Sequence, residues 1–140
     1  MPDNETLLCF DLGLKRIGVA VGQTVTSTAN PLETIKTINN KPDWQQISHI
    51  IEQWQPNRLI VGHPLQMDDN KQTMTEHAEH FVRQLQGRYH LPVEMVDERL
   101  SSYEARQRIK STYNVDPIAA QVILETWFSE QEQISANKDL

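Results

Sequence analysis

The sequence contains one cysteine and no long hydrophobic run. The single thiol of Cys9 cannot form a disulfide within the chain, which excludes a disulfide scaffold and suits a reducing compartment. No apolar stretch approaches the roughly 18 residues of a transmembrane helix, and none precedes Leu7. We therefore expect no membrane association and no signal peptide, and we expect a cytoplasmic location.

Positive charge is also scarce. The chain has 13 lysines and arginines against 19 aspartates and glutamates, a formal net charge of −6. Such a chain is not expected to bind nucleic acids or anionic membranes nonspecifically, because phosphate contacts depend on lysine and arginine. The 140 residues and 38% hydrophobic content suit one domain over residues 1–140. Residues 1–6 and 129–140 are expected to be flexible.

Five segments have the composition of β-strands. Three of them, residues 7–12, 17–21 and 32–38, are short and lie at hairpin spacing, which predicts antiparallel strands. Two more, residues 58–62 and 92–96, each follow a segment with helical periodicity. Strands that are joined through helices run parallel, with right-handed crossovers, so we expect a sheet of mixed direction.

Helical periodicity separates and follows these strands. Apolar residues recur every three to four positions over residues 44–54 and 74–89, the pattern of a helix with one buried face. A capping box at Ser101 and Glu104 predicts a polar helix, and Asp116-Pro117 opens a helix that is apolar nearly all round. The order βββαβαβαα predicts an α/β fold, a three-layer domain in which a mixed five-stranded sheet has helices on both faces.

An aspartate stands where the strand pattern calls for an apolar residue. Asp11 follows the Leu-Cys-Phe run of the first strand, which we expect to be central, and aspartate is depleted in strands. A buried carboxylate costs several kcal/mol, roughly, unless it is paired, hydrogen-bonded or bound to a cation. Asp11 is therefore a candidate metal ligand. The alternative is that Asp11 caps the turn at Gly13.

Further acids occupy the ends of two other predicted elements. Asp97 and Glu98 follow the strand at 92–96, at the end where ligands bind in α/β sheets, although a solvated acidic loop paired with Arg99 is an alternative. Asp116 precedes a proline at a helix start, where an ordinary N-cap explains it. Together such acids could converge on one site of carboxylate oxygens, the ligands suited to Mg²⁺ or Mn²⁺. Two such ions promote phosphodiester hydrolysis.

Four ordered blocks carry a family resemblance. They are FDLGLKRIGVAVGQ (10–23), LIVGHPLQMD (59–68), VDERLSSYEAR (96–106) and VDPIAAQVILETWF (115–128). Together they resemble the YqgF/RuvX family of pre-16S rRNA nucleases, which are also described as Holliday-junction-resolvase-like. The resemblance implies an RNase H-like fold and a metal-dependent nuclease that processes the 5′ end of pre-16S rRNA in ribosome biogenesis.

The resemblance also implies the site. It places the catalytic and metal-binding acids at Asp11, Glu98 and Asp116, with Asp97 as the substitute if Glu98 is wrong. The expected cofactor is Mg²⁺ or Mn²⁺, with two ions bound.

Basic residues beside these acids are the expected substrate contacts. Lys15, Arg16 and Arg99 could position a phosphate backbone without reading its sequence. The expected partner is nucleic acid, either pre-rRNA or branched DNA, and the chain is expected to be a monomer or a weak dimer. Two alternatives remain open: a Holliday junction resolvase, which needs paired sites in a dimer, and a non-catalytic nucleic-acid or transcription-complex binding module.

Overall fold

A computed structural model describes residues 5–12, 16–39, 41–63, 71–97 and 115–138. Within those ranges the chain forms six strands and three helices. The strands are β1 (Thr6–Leu12), β2 (Arg16–Gln23), β3 (Thr28–Ile38), β4 (Lys41–Pro42), β5 (Arg58–His63) and β6 (Val93–Asp97). The helices are α1 (Trp44–Trp54), α2 (Lys71–Tyr89) and α3 (Val115–Lys138). The polar helix predicted from Ser101 lies outside the described residues.

The strands form one mixed sheet in the order β4-β3-β2-β1-β5-β6. Strands β1 to β4 are an antiparallel meander, and β5 and β6 run parallel to β1, as the segment order predicts. The sheet has six strands, so the prediction of five was wrong. The added strand is β4, in which Lys41 and Pro42 pair with Ile38 and Thr37. Two residues are too few to show an alternating pattern.

Capping explains the bounds of α1. The side chain of Asp43 accepts a hydrogen bond from the backbone N–H of Gln46, which satisfies one donor of the first turn. Gln55 ends the helix in the left-handed conformation (φ 45°), just before Pro56. The helix predicted over 44–54 is thereby confirmed.

Helix α3 is longer than its apolar pattern. Residues 129–138, which the sequence predicts to be flexible, continue the helix to Lys138. The segment after Phe128 contains neither proline nor glycine, so nothing in it interrupts propagation, which adds one hydrogen bond for each residue fixed. No helix in the described part of the chain is both long and apolar enough to cross a bilayer.

The core has two layers, one on each face of the sheet. Strand β1 alternates between them, with Leu8, Phe10 and Leu12 in the layer under α1 and α2 and with Leu7 and Cys9 in the layer under α3. Each of these five side chains is almost completely buried. The predicted arrangement of helices on both faces is therefore confirmed, and β1 has neighbours on both sides.

Candidate functional site

Asp11 lies near the carboxyl end of β1, inside the sheet. It pairs with Gly18 of β2 and is half-buried. Its neighbours Phe10 and Leu12 belong to the layer under α1 and α2. Because side chains alternate along a strand, Asp11 projects to the opposite face, which α3 covers. The expectation that the first strand is central and carries this carboxylate is confirmed.

Glycines flank Asp11 on both neighbouring strands. Gly18 is its partner on β2, and on β5 the parallel register that pairs Phe10 with Val61 brings Gly62 level with Asp11. Neither neighbouring strand therefore sets a side chain directly beside the carboxylate. The site combines a half-buried acid with two positions that add no bulk, and this combination suits an acid that contacts a ligand.

The second acidic segment reaches the same edge of the sheet. Strand β6 runs parallel to β5 and ends at Asp97, which pairs with His63. Since β1, β5 and β6 are parallel, their carboxyl ends share one edge, with β6 two strands, or about 10 Å, from β1. The side chain of Asp97 is not among those described, and Glu98 lies outside the described residues.

The third acid belongs to α3. This helix begins at Val115, so Asp116 lies in its first turn, not before it. An acid there is favoured by the helix dipole even without a ligand, and the side chain of Asp116 is not among those described. Helix α3 packs on the face to which Asp11 projects, because Ala120, Ile123 and Leu124 share a cluster with Cys9.

The predicted substrate contacts are only partly visible. Lys15 and Arg99 lie outside the described residues. Arg16 begins β2, is exposed and pairs with Lys36 of β3. Lys36 and Lys41 are two further exposed cations near Arg16, and the sequence analysis did not identify them. Only strand register shows where they lie, with Lys36 opposite Arg16 and Lys41 opposite Ile38, and no short motif contains that register.

Carboxylate oxygen is a hard donor that suits Mg²⁺ or Mn²⁺, so the chemistry of Asp11 fits the expected metal. The described side chains include no group of three or more histidine, cysteine, aspartate or glutamate residues that could hold a metal ion. Of the three predicted ligands, however, only Asp11 has a described side chain. The other two predicted ligands, Glu98 and Asp116, have no described side chain, so their place in the site stays a prediction.

Comparison with known sequences identifies relatives along nearly the whole chain. Residues 5–130 match the family model described as "RuvX: Holliday junction resolvase". A protein named "Putative pre-16S rRNA nuclease" from Nitrosococcus oceani is 53% identical over 135 residues, covering 91% of this chain and 89% of that protein. A protein of the same name from Coxiella burnetii is 47% identical over 139 residues, covering 94% of this chain and 99% of that protein.

Solved structures share the fold at low sequence identity. RuvC from T. thermophilus, in complex with a Holliday junction substrate, gives a TM-score of 0.61 at 14% identity, covering 91% of this chain and 96% of that chain. The Fowlpox virus resolvase, in complex with substrate Holliday junction DNA, gives a TM-score of 0.51 at 10% identity, covering 90% and 98%. The predicted RNase H-like α/β fold is therefore confirmed.

Proposed function

The chain belongs to the RuvX family, and on that premise we propose that it is a metal-dependent nuclease that processes the 5′ end of pre-16S rRNA. The family predicted from the sequence is confirmed, and with it the class of enzyme, a hydrolase of phosphodiester bonds. Relatives named as pre-16S rRNA nucleases support the RNA substrate and, with it, a cytoplasmic location. The observation that carries the proposal is the position of Asp11. It is a half-buried carboxylate on the central strand β1, and the positions level with it on the two neighbouring strands are glycines, Gly18 of β2 and Gly62 of β5.

In the proposed site Asp11, Glu98 and Asp116 hold the metal, with Asp97 as the alternative to Glu98. Asp11 comes from β1, Glu98 directly follows the last residue of β6, and Asp116 belongs to the first turn of α3. The reach of a glutamate side chain helps to span the two inter-strand spacings between β6 and β1, which have only β5 between them. We propose two ions, Mg²⁺ or Mn²⁺, which when bound supply an activated water and neutralise charge on the leaving oxygen.

The chain itself contributes a fixed position for the first carboxylate. Strand β1 is bonded to β2 on one side and β5 on the other, and Asp11 lies directly after the buried residue Phe10. A ligand held on paired strands needs little reorganisation when substrate arrives. In the proposal Lys15, Arg16 and Arg99 contact the phosphate backbone and orient it over the acids.

The test is cleavage of a 5′-extended 16S rRNA precursor by the full chain with Mg²⁺ or Mn²⁺. Asp11→Asn keeps the size of the side chain and removes its charge. A metal ligand contributes about 4 kcal/mol to transition-state stabilisation, so we expect the cleavage rate of this variant to fall roughly a thousandfold. Its circular dichroism spectrum, which reports the fold, is expected to stay unchanged. Asp43→Asn is the matched control, because asparagine also caps a helix and Asp43 lies at the start of α1. Undiminished cleavage by Asp11→Asn would contradict the proposed mechanism.

A four-way DNA junction is the second candidate substrate, favoured by the description of the family model and by the fold shared with RuvC. A resolvase cuts two symmetric strands and therefore needs paired sites in a dimer. We propose a monomer or weak dimer acting on RNA. Preferential cleavage of the junction by a dimeric species on a sizing column would reverse that assignment. Binding without cleavage of either substrate, unaffected by metal, would indicate a non-catalytic module.

A further inference from the structure

A group of cations lies on the same face of the sheet as Asp11. Arg16 and Lys36 are paired across β2 and β3, and Lys41 pairs with Ile38 across β3 and β4. Ile17 and Ile35 belong to the layer under α1 and α2. By alternation Arg16, Lys36 and Ile38 therefore project to the other face, as Asp11 does. We call these four residues, Arg16, Lys36, Ile38 and Lys41, the hairpin surface.

The charged residues of the hairpin surface are all basic. Strands β2, β3 and β4 contain a single acid, Glu33, and its side chain accepts a hydrogen bond from Gln46 of α1, on the opposite face. Lys36 and Lys41 are both exposed, and neither has an ion-pair partner among the described residues. In a chain of net charge −6, these strands therefore add only positive charge to the face that carries Asp11.

An exposed aliphatic side chain lies among these cations. Ile38 is 70% exposed, although it belongs to a strand and is large and apolar. It pairs directly with Lys41, and Lys36 lies two residues before it on the same strand. An apolar contact between two cations suits a ligand that presents both phosphates and the uncharged surface of sugars or bases.

The spacing of the sheet gives the distances from Asp11. Lys36 is two strands away and about two residues further along, which at 4.8 Å between strands and 3.3 Å per residue is about 12 Å. Lys41 is three strands away and about four residues further along, or about 20 Å. Each strand of double-stranded DNA carries one phosphate per about 3.4 Å of axis, and at a similar spacing these distances correspond to roughly three to six nucleotides of RNA.

We propose that the hairpin surface binds the backbone of the nucleic-acid substrate about three to six nucleotides from the phosphate that is cut. This inference rests on the proposed function and adds a substrate requirement to it. The RNA must extend past the cleavage position along β2, β3 and β4. Lys36 and Lys41 contact phosphates there, and Ile38 contacts the sugar or base between them.

The test measures binding in the Asp11→Asn background, so that substrate is not consumed. Fluorescence anisotropy follows a labelled RNA duplex between 50 and 200 mM KCl, with the Lys36→Ala/Lys41→Ala double variant beside its parent. Two lost phosphate contacts at about 0.9 each reduce the slope of log K against log salt by about 1.8. The loss of affinity is then about 12-fold larger at 50 mM than at 200 mM salt.

Three controls separate this result from a general loss of charge. Arg83→Ala removes one exposed cation from α2, on the other side of the sheet, and is expected to leave the slope unchanged; the matched comparison is with Lys36→Ala alone. Ile38→Ala is expected to weaken binding without changing the slope, because its contact is apolar. Duplexes shortened from either side are expected to lose their sensitivity to Lys41 when one side falls below about six nucleotides, and their sensitivity to Lys36 below about three.

The proposed function and this inference fail in different ways. In the chain with Asp11 intact, absence of metal-dependent RNA cleavage would overturn the proposed function. If that chain cleaves RNA while the double lysine variant keeps the parent's salt slope and KM, only the hairpin surface is refuted. The lysines would then serve to protect the edge strand from pairing with other chains. A raised KM together with the reduced slope supports the inference.

Discussion

Gly22→Ala tests how closely α3 packs on the sheet, and hence how firmly the helix that carries Asp116 is held. Gly22 lies in β2 on the face covered by α3 and is buried. A Cβ atom at this position would lie 2.7 Å from Cδ2 of Leu124, 2.8 Å from the carbonyl oxygen of Thr28 and 3.1 Å from Cε2 of Phe128. Three contacts of that length cannot coexist without movement of the surrounding atoms.

The expected cost follows from which atoms can move. Leu124 and Phe128 are almost completely buried, so a change of rotamer would meet other core side chains. The carbonyl of Thr28 belongs to the backbone of β3, which is paired with β2 at this level. Overpacking of this kind costs about 1–3 kcal/mol. At about 4 °C per kcal/mol for a chain of this length, the melting temperature falls by roughly 4–12 °C.

Gly87→Ala is the matched control for the same chemical change. Gly87 is exposed in α2, and a Cβ atom there meets nothing within 4 Å. Alanine loses less backbone entropy than glycine in a helix, so this variant is expected to be about 0.5–1 kcal/mol more stable than the parent. Urea unfolding and thermal melts of both variants give the comparison. Equal stability of Gly22→Ala and the parent would refute the close packing of α3 on β2.

Two further changes test the N-cap of α1 and the contact between α3 and β6. Asp43→Ala removes the acceptor for the backbone N–H of Gln46 and is expected to cost about 1 kcal/mol in urea unfolding; an unchanged midpoint would show that the cap contributes nothing. Trp127→Phe removes the 2.6 Å hydrogen bond from Nε1 to Oε2 of Glu94 and leaves a smaller ring in a site that is 6% exposed. A loss of about 1–3 kcal/mol is expected, and a melting temperature equal to the parent's would contradict it.

Local patterns in the sequence are sufficient to predict most of the sheet and helices. The apolar runs of β1 and β2 and the spacing of apolar residues in α1 reflect direct burial, so each can be recognised within a few residues. Strand β4 could not be recognised in this way, because its two residues are defined only by their pairing with Thr37 and Ile38. The extension of α3 beyond Phe128 depends on propagation from a buried helix, not on an apolar pattern of its own.

In the candidate site, too, some features can be predicted from the local sequence and others depend on strand register. Asp11 is evident in the sequence because a carboxylate interrupts an apolar strand. Its flanking glycines and the pairing of Arg16 with Lys36 depend on register. The register of β2 with β3 shifts between Val19 and Ala20, where a bulge adds a residue to β3. Counting back from the hairpin turn without that bulge would set Ile35 opposite Arg16 and place Lys36 on the wrong face of the sheet.

We propose that Asp11 anchors the divalent ions that the nuclease uses. Calorimetric titration of Mn²⁺ into the full chain, compared with the Asp11→Asn and Asp43→Asn variants, tests it most directly. We expect saturable binding by the parent and by Asp43→Asn, with two ions bound per chain, and at least a tenfold loss of affinity in Asp11→Asn. Equal Mn²⁺ affinity in the Asp11→Asn variant and the parent would contradict it.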